Sequence, residues 1–257
     1  AVAKQVLDQS EYDVQIKAHV NQVADIRAPE VSFQEMLDNT EENEVRCAHP
    51  ETAEEMREAI DEYQQEGDSI GGSVYFECRG VPRGLGAPRF DSFAARLGQA
   101  MFAIPATSGF EFGAGRETRT MRGSERNEDW AFDDGDRPEI ESDEGDPVPV
   151  GNDHGGLQGG ITTGEPIYGE ATWHAPTSIP KQQTTADWET GEQKEIQVVG
   201  RHDPVLMPRA VPVVEAMLHL TVLDFMLLAG RINPDRLDGD VGEYDTDYHP
   251  RSPDNIE

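Results

Sequence analysis

The sequence is short of cysteine, of positive charge and of unbroken apolar runs, and each shortage narrows what the chain does. Cys47 and Cys78 are the only cysteines among 257 residues and stand in no metal-ligand spacing. Two reduced thiols are expected and not a disulfide, which suits the cytoplasm. Lysine and arginine number 21 against 51 aspartates and glutamates, a formal net charge of -30. Nucleic acid and anionic membranes both demand basic stripes, so neither is expected as a partner. The acidic residues are scattered through nearly every segment, which reads as a solvated surface adapted to high salt. No apolar run is expected to span a membrane, because Glu215, His219 and Asp224 interrupt the best candidate. No signal peptide and no internal repeat is visible.

The length suits one large domain or two small ones and can bury a substantial core. Strands and helices alternate without a convincing linker, so a single α+β domain over 1–257 is expected. Ala1 to Leu7 reads as the end of a helix, since it has no cap and enters in full apolar stride. Tyr12, Val14, Ile16, Ala18 and Val20 alternate with polar residues, the period of a strand with one buried face; His19 then falls on the solvated face. Ser32 and Glu35 have capping-box spacing, and Pro50 to Glu66 reads as a helix that buries Ala53, Met56 and Ile60 and stops at Gly67.

Ser73 to Arg79 reads as a strand, followed by the loop R-G-V-P-R-G-L-G-A-P. Its Arg79 and Arg83, with Arg89 beyond, either recognise an anion or are simply solvated. A helix over Asp91 to Ile104 ends at Pro105-Ala106, before the strand-like G-F-E-F-G. Residues 124–150 are rich in Asp, Glu, Gly and Pro and are expected to form a long mobile loop, an insertion or a lid. Strands are expected at Pro166 to Trp173 and Glu195 to Val199, bracketing a polar connection. Pro212 to Leu228 is apolar almost all round and should be a helix buried on more than one side. Residues 232–257 are expected to be a disordered tail.

The stretch with the most chemistry runs from Asn152 to Ala229. It opens with N-D-H-G-G-L-Q-G-G-I-T-T-G, in which Gly155, Gly156, Gly159, Gly160 and Gly164 let the backbone turn with positive φ and approach a flat ligand. The same string also reads as an ordinary cluster of turns. Downstream, Arg201-His202-Asp203 places a fixed cation, an imidazole and a carboxylate just before the apolar segment, an arrangement that is costly unless it has a task.

These motifs together resemble the chorismate synthase family. G-G-L-Q-G-G-I-T-T-G, P-T-S-I, G-R-H-D-P and P-R-A-V-P-V-V-E-A-M agree with it in order. So do D-S-I-G-G at Asp68 to Gly72, R-G-V-P-R-G-L-G-A-P at Arg79 to Pro88 and I-P-A-T-S-G-F-E-F-G at Ile104 to Gly113. The resemblance implies a β-α-β sandwich, a homotetramer, and conversion of 5-enolpyruvylshikimate 3-phosphate to chorismate and phosphate with reduced FMN. It leaves open whether the flavin is reduced elsewhere or by a built-in NADPH-dependent activity. It also implies an amino-terminal region carrying a G-E-S-H-G-like histidine motif and an R-x-S-A-R-E-type loop. Neither precedes Ala1, so about a third of the enzyme is expected to be absent.

Carried over position by position, the family's flavin contacts fall on Pro105, Ala106, Gly159, His174, Ala175, Pro176, Thr177, Ser178 and Arg201. Asp203 takes the acid-base role beside the flavin. His174 and Ala175 stand where the family has Lys-Pro. The residues read alone allow other roles: Asp203 ahead of Pro204 is placed to cap a helix, and Arg201 to form a structural ion pair. Two further functions stay open. One is a non-catalytic flavin-binding or assembly module of the same fold, and the other an acidic scaffold for basic partners. In the enzyme reading, the glycine turn, the Thr177-Ser178 edge and the Arg201-Asp203 segment converge on a single flavin-sized cleft.

Overall fold

The strand periodicity read from the sequence builds one antiparallel sheet. A computed structural model describes residues 1–132 and 147–233. Its first half runs α1 (Val2–Asp8), β1 (Gln15–Val23), β2 (Ile26–Arg27), α2 (Phe33–Asn39), α3 (Pro50–Gln65), β3 (Gly72–Arg79), α4 (Phe93–Phe102) and β4 (Thr107–Phe112). After a short α5 (Gly123–Arg126) come β5 (Trp130–Phe132), β6 (Pro147–Pro149), β7 (Leu157–Gln158), β8 (Ile161–Thr162), β9 (Ile167–Trp173), β10 (Gln183–Ala186), β11 (Gln193–Ile196) and the long α6 (Met207–Leu228). Five strands form the main sheet in the order β2-β1-β3-β9-β4.

Register sorts the side chains into two faces. Ala18, Phe76, Gly169 and Phe112 are cross-strand neighbours, as are Val20, Val74, Ala171 and Phe110, and these rows are the apolar face. A Cβ at Gly169 would come within 2.9 Å of the Phe76 ring, so glycine there makes room for Phe76 to stack on Phe110. Helix α6 lies on β1 and β3, with α1 and α4 packed against it. Met207, Val211, Val214, Leu218, Val222 and Met226 join the strand residues in one core cluster. Each such side chain contributes about 1.5–3 kcal/mol of burial free energy.

The capping box at Ser32 and Glu35 is present, and Gly67 ends α3 with a φ of +66°. Several expectations need correction. His19 is not solvated but 1% exposed, because the second face of the sheet is also covered. By length and composition α6 does qualify as a membrane span; it packs instead as a core helix, and one stripe including Val213, Leu220 and Leu227 faces outward. The polar connection after β9 holds β10, and β10 and β11 pair in a hairpin of their own. The expected loop 124–150 contributes part of α5 and the β5–β6 hairpin, while 133–146 lie outside the described residues. Of the expected tail, Ile232 is buried at 5% exposure and 234–257 lie outside the described residues.

Helix α6 starts one turn before Pro212, the position that the sequence suggested for its beginning. A proline inside a helix offers no N–H to the carbonyl four residues back. That carbonyl is Pro208 O, and Arg46 Nη1 donates to it at 2.6 Å from the loop before α3. The side chain replaces the missing helical bond, so the helix continues through Pro212.

Candidate functional site

Three strand ends meet at one end of the sheet. Gly72 of β3 and Thr107 of β4 both pair with Trp173 of β9. The ladder therefore brings together Gly71, Ala106 and His174, the residues just outside those ends. His174 N–H donates to Ala106 O at 3.4 Å, and the Trp173 indole N–H donates to Pro105 O at 3.2 Å. Ala106 has a φ of +64°, a left-handed conformation that costs an alanine about 1–2 kcal/mol. Strain of this kind is held only where the surroundings over-determine it, and it concentrates at functional sites.

The turn from Asp68 to Gly71 lies against these residues. A Cβ at Gly71 would sit 2.6 Å from Trp173 O and 3.2 Å from Ala175 N, so only glycine allows the approach. Ile70 N–H donates to Pro204 O at 2.8 Å, which places the segment carrying Asp203 beside the segment carrying Pro176. Pro105, Ala106, His174, Ala175, Pro176 and the 201–204 segment are thus gathered at one end of the sheet.

The polar groups here are largely free to meet a ligand. The hydroxyls of Thr177 and Ser178 are on exposed residues and make no hydrogen bond among the described residues, and the exposed Arg201 guanidinium has no partner among them either. His174 donates Nδ1–H to its neighbour's carbonyl, Ala175 O, at 2.8 Å; since a carbonyl only accepts, the other ring nitrogen of the neutral imidazole carries a lone pair. Asp203 does not cap α6, whose N-cap is Leu206, and pairs with Arg209 at 2.6 Å. Free hydroxyls and a guanidinium without a partner among the described residues form a donor set that fits the polar edge and the anionic tail of a flavin nucleotide, with the Asp203 carboxylate nearby as an acceptor.

Gly159 is placed at the opposite end of α4 from Pro105 and Ala106. Its neighbour Gly160 accepts the N–H of Phe93 at 2.7 Å, at the beginning of α4, whereas Pro105 and Ala106 follow the end of that helix. Ten residues of helix span about 15 Å. Gly159 itself has a φ of +60° and open space around its missing Cβ. A ligand touching both places would have to run alongside α4.

A cavity of about 950 Å³ lies elsewhere again, and none of the ten expected residues lines it. It opens on the polar face of the sheet, where His19, Tyr75, Glu170 and Glu111 form one cross-strand row and the segment after β2 closes over them. Arg27 grips Glu170 with two hydrogen bonds of 3.3 and 2.8 Å. Burial, with a smaller contribution from Asp153, pushes the Tyr168 phenol up to about 12. Period-two alternation identified which side chains share this face, but no signal in the sequence showed that residues 28–33 fold back over it.

A family model described as chorismate synthase matches residues 1–227. The chorismate synthase of Halorubrum lacusprofundi is 76% identical over 256 residues, 99% of this chain and 65% of that protein. That of Halobacterium salinarum is 71% identical over 255 residues, again 99% and 65%. A solved structure titled as a crystal structure of chorismate synthase superposes with a TM-score of 0.69 at 25% identity, covering 89% of this chain and 61% of that one. The chain thus spans about two thirds of the length of these relatives. Fold, motif order and matched length agree: this chain belongs to the chorismate synthase family.

Proposed function

We propose that this chain works within a chorismate synthase, eliminating phosphate from 5-enolpyruvylshikimate 3-phosphate to give chorismate. The observation that carries the reading is the gathering of Pro105, Ala106, His174 to Ser178 and Asp203 at one end of the sheet, held there by ladder register and by the turn at Asp68 to Gly71. Reduced FMN, when bound, supplies electron density to the departing phosphate and a ring nitrogen that exchanges a proton.

The chain's own groups have separate tasks. Thr177 and Ser178 hydroxyls orient the polar edge of the flavin, and the strained Ala106 presents its backbone to the ring. Arg201 offers a fixed cation to an anionic ligand, with local contact outweighing the repulsion of a chain charged at -30. In molar salt the screening length is about 3 Å, which confines that repulsion. Asp203, salt-bridged to Arg209, holds or releases a proton at its carboxylate. A homotetramer, by family analogy alone, completes the reading, and the two free buried thiols and the acidic composition support a salt-rich cytoplasm.

The test is anaerobic mixing of a polypeptide carrying this chain with the substrate and photoreduced FMN in molar KCl. Phosphate and chorismate are expected in equal amounts. The competing reading is a flavin-binding module of the same fold without catalysis. Quenching of FMN fluorescence with no phosphate released would decide for it.

A further inference from the structure

The turn Asp68 to Gly71, between α3 and β3, carries none of the flavin-side groups, yet each of its residues engages the candidate site or its border. Asp68 pairs with Lys181 at 2.5 Å, just beyond the Thr177-Ser178 edge. Ser69 is 9% exposed and donates its hydroxyl to Pro176 O at 2.5 Å. Ile70 N–H donates to Pro204 O at 2.8 Å. Gly71 lies so close to Trp173 and Ala175 that a Cβ would collide with the backbone there.

Two consecutive residues of one turn therefore hold the carbonyl before Thr177 and the carbonyl after Asp203. Both carbonyls belong to prolines, which have no N–H, so the carbonyl is the one backbone group through which each can be tied. Among the described residues no hydrogen bond runs directly between 174–178 and 200–204. The spacing of the two segments is thus set through the turn.

We propose that Asp68 to Gly71 is a positioning clip that fixes the distance between the Thr177-Ser178 hydroxyl edge and the Asp203 carboxylate, with Ser69 as its positioning residue. The clip rests on the reading of these groups as the flavin-side residues. Ser69 touches neither flavin nor substrate and acts through Pro176. Losing its hydroxyl leaves Pro176 O untied and lets the edge drift relative to Asp203.

The test compares Ser69→Ala, Ser69→Cys and Ser69→Thr with the parent chain in two measurements. ¹⁵N relaxation reads the order parameters of Thr177 and Ser178, and titration with oxidised FMN reads affinity. In Ser69→Ala the order parameters are expected to fall from about 0.85 towards 0.6. FMN should bind about fivefold more weakly, the worth of one hydrogen bond. Ser69→Cys keeps the volume with a poor donor and should behave alike, whereas Ser69→Thr keeps the hydroxyl and should restore both values. If Ser69→Ala does not fold, Ser69→Cys decides. Unchanged order parameters at Thr177 and Ser178 overturn the clip whether or not FMN binds, and so does unchanged affinity in a parent that takes up FMN. A parent that takes up no FMN refutes the flavin reading, and the clip is then judged on the relaxation data alone.

Discussion

Arg46 donates to Pro208 O at 2.6 Å, and that carbonyl is the one that Pro212 leaves without a helical partner. A side chain 162 residues away in sequence thus completes the first turns of the helix that anchors the core. A charged hydrogen bond of this kind contributes about 1.5–3 kcal/mol. Arg46→Ala should lower stability to urea by about that amount. In a Pro212→Ala background the new N–H at 212 can take the carbonyl, and the same change should cost about 1 kcal/mol less. Equal costs in both backgrounds would show that the bond does not stand in for the helical one.

Asp203 separates activity from stability. Its pair with Arg209 joins side chains that are 41% and 74% exposed, and such pairs are worth about 0–1 kcal/mol. Asp203→Asn should therefore leave the melting temperature almost unmoved while phosphate release falls about a hundredfold or more. Full turnover in the variant would remove Asp203 from the mechanism.

Ala106 stores strain that glycine would release. Ala106→Gly should stabilise the fold by about 0.5–1 kcal/mol, the left-handed cost at φ +64° less the extra freedom of glycine in the unfolded chain. For a chain of this size that is a rise of about 1–4 °C in melting temperature. A fall in stability would mean that the methyl group has a packing role outweighing the strain.

His19 makes stability depend on acidity. Burial lowers its pKa to about 4 from 6.5, so the folded state favours the neutral ring. Its contribution is present in full above pH 6.5 and is lost as the pH falls towards 4, where the unfolded chain gains a proton that the folded chain refuses. The loss amounts to about 3 kcal/mol. His19→Gln should flatten the urea midpoint across that window. A variant whose midpoint still falls as steeply would place the acid sensitivity in other groups.

The β10–β11 hairpin should be thermodynamically silent. Seven of its eight strand residues are exposed, the other half-buried, and Trp188 at its turn is 98% exposed. A two-stranded hairpin has little stability of its own. Replacing 183–196 with a short Gly-Ser linker should shift the melting temperature by less than about 2 °C, whereas FMN affinity falls if the arm helps to hold the Thr177 edge through Gln183, which donates to Thr177 O at 3.3 Å.

Local signals were legible in the sequence. The capping box at Ser32, the glycine stop at Gly67 and the strand from Ser73 depend on neighbours within a few residues, and all are present. What the sequence hid was long-range. His19 looked solvated because alternation assigns a face without saying what covers it. The bond from Arg46 to Pro208 joins distant segments and leaves no local trace, so α6 was expected to begin at Pro212. The candidate site was legible only through resemblance to a family. Periodicity alone could not have set Ala106 beside His174, because that neighbourhood comes from the pairing of β4 with β9.

Strand β9 is hydrogen-bonded on both flanks, to β3 and to β4, and it delivers the chain to the candidate site at Trp173. Four residues later the backbone has left the ladder and enters the exposed arm. Configurational freedom surrendered when a ligand is captured therefore comes from the stretch beyond Ser178 and hardly at all from the sheet. The temperature dependence of binding would then report the ordering of a short peptide hinge, with the five-stranded sheet as its frame.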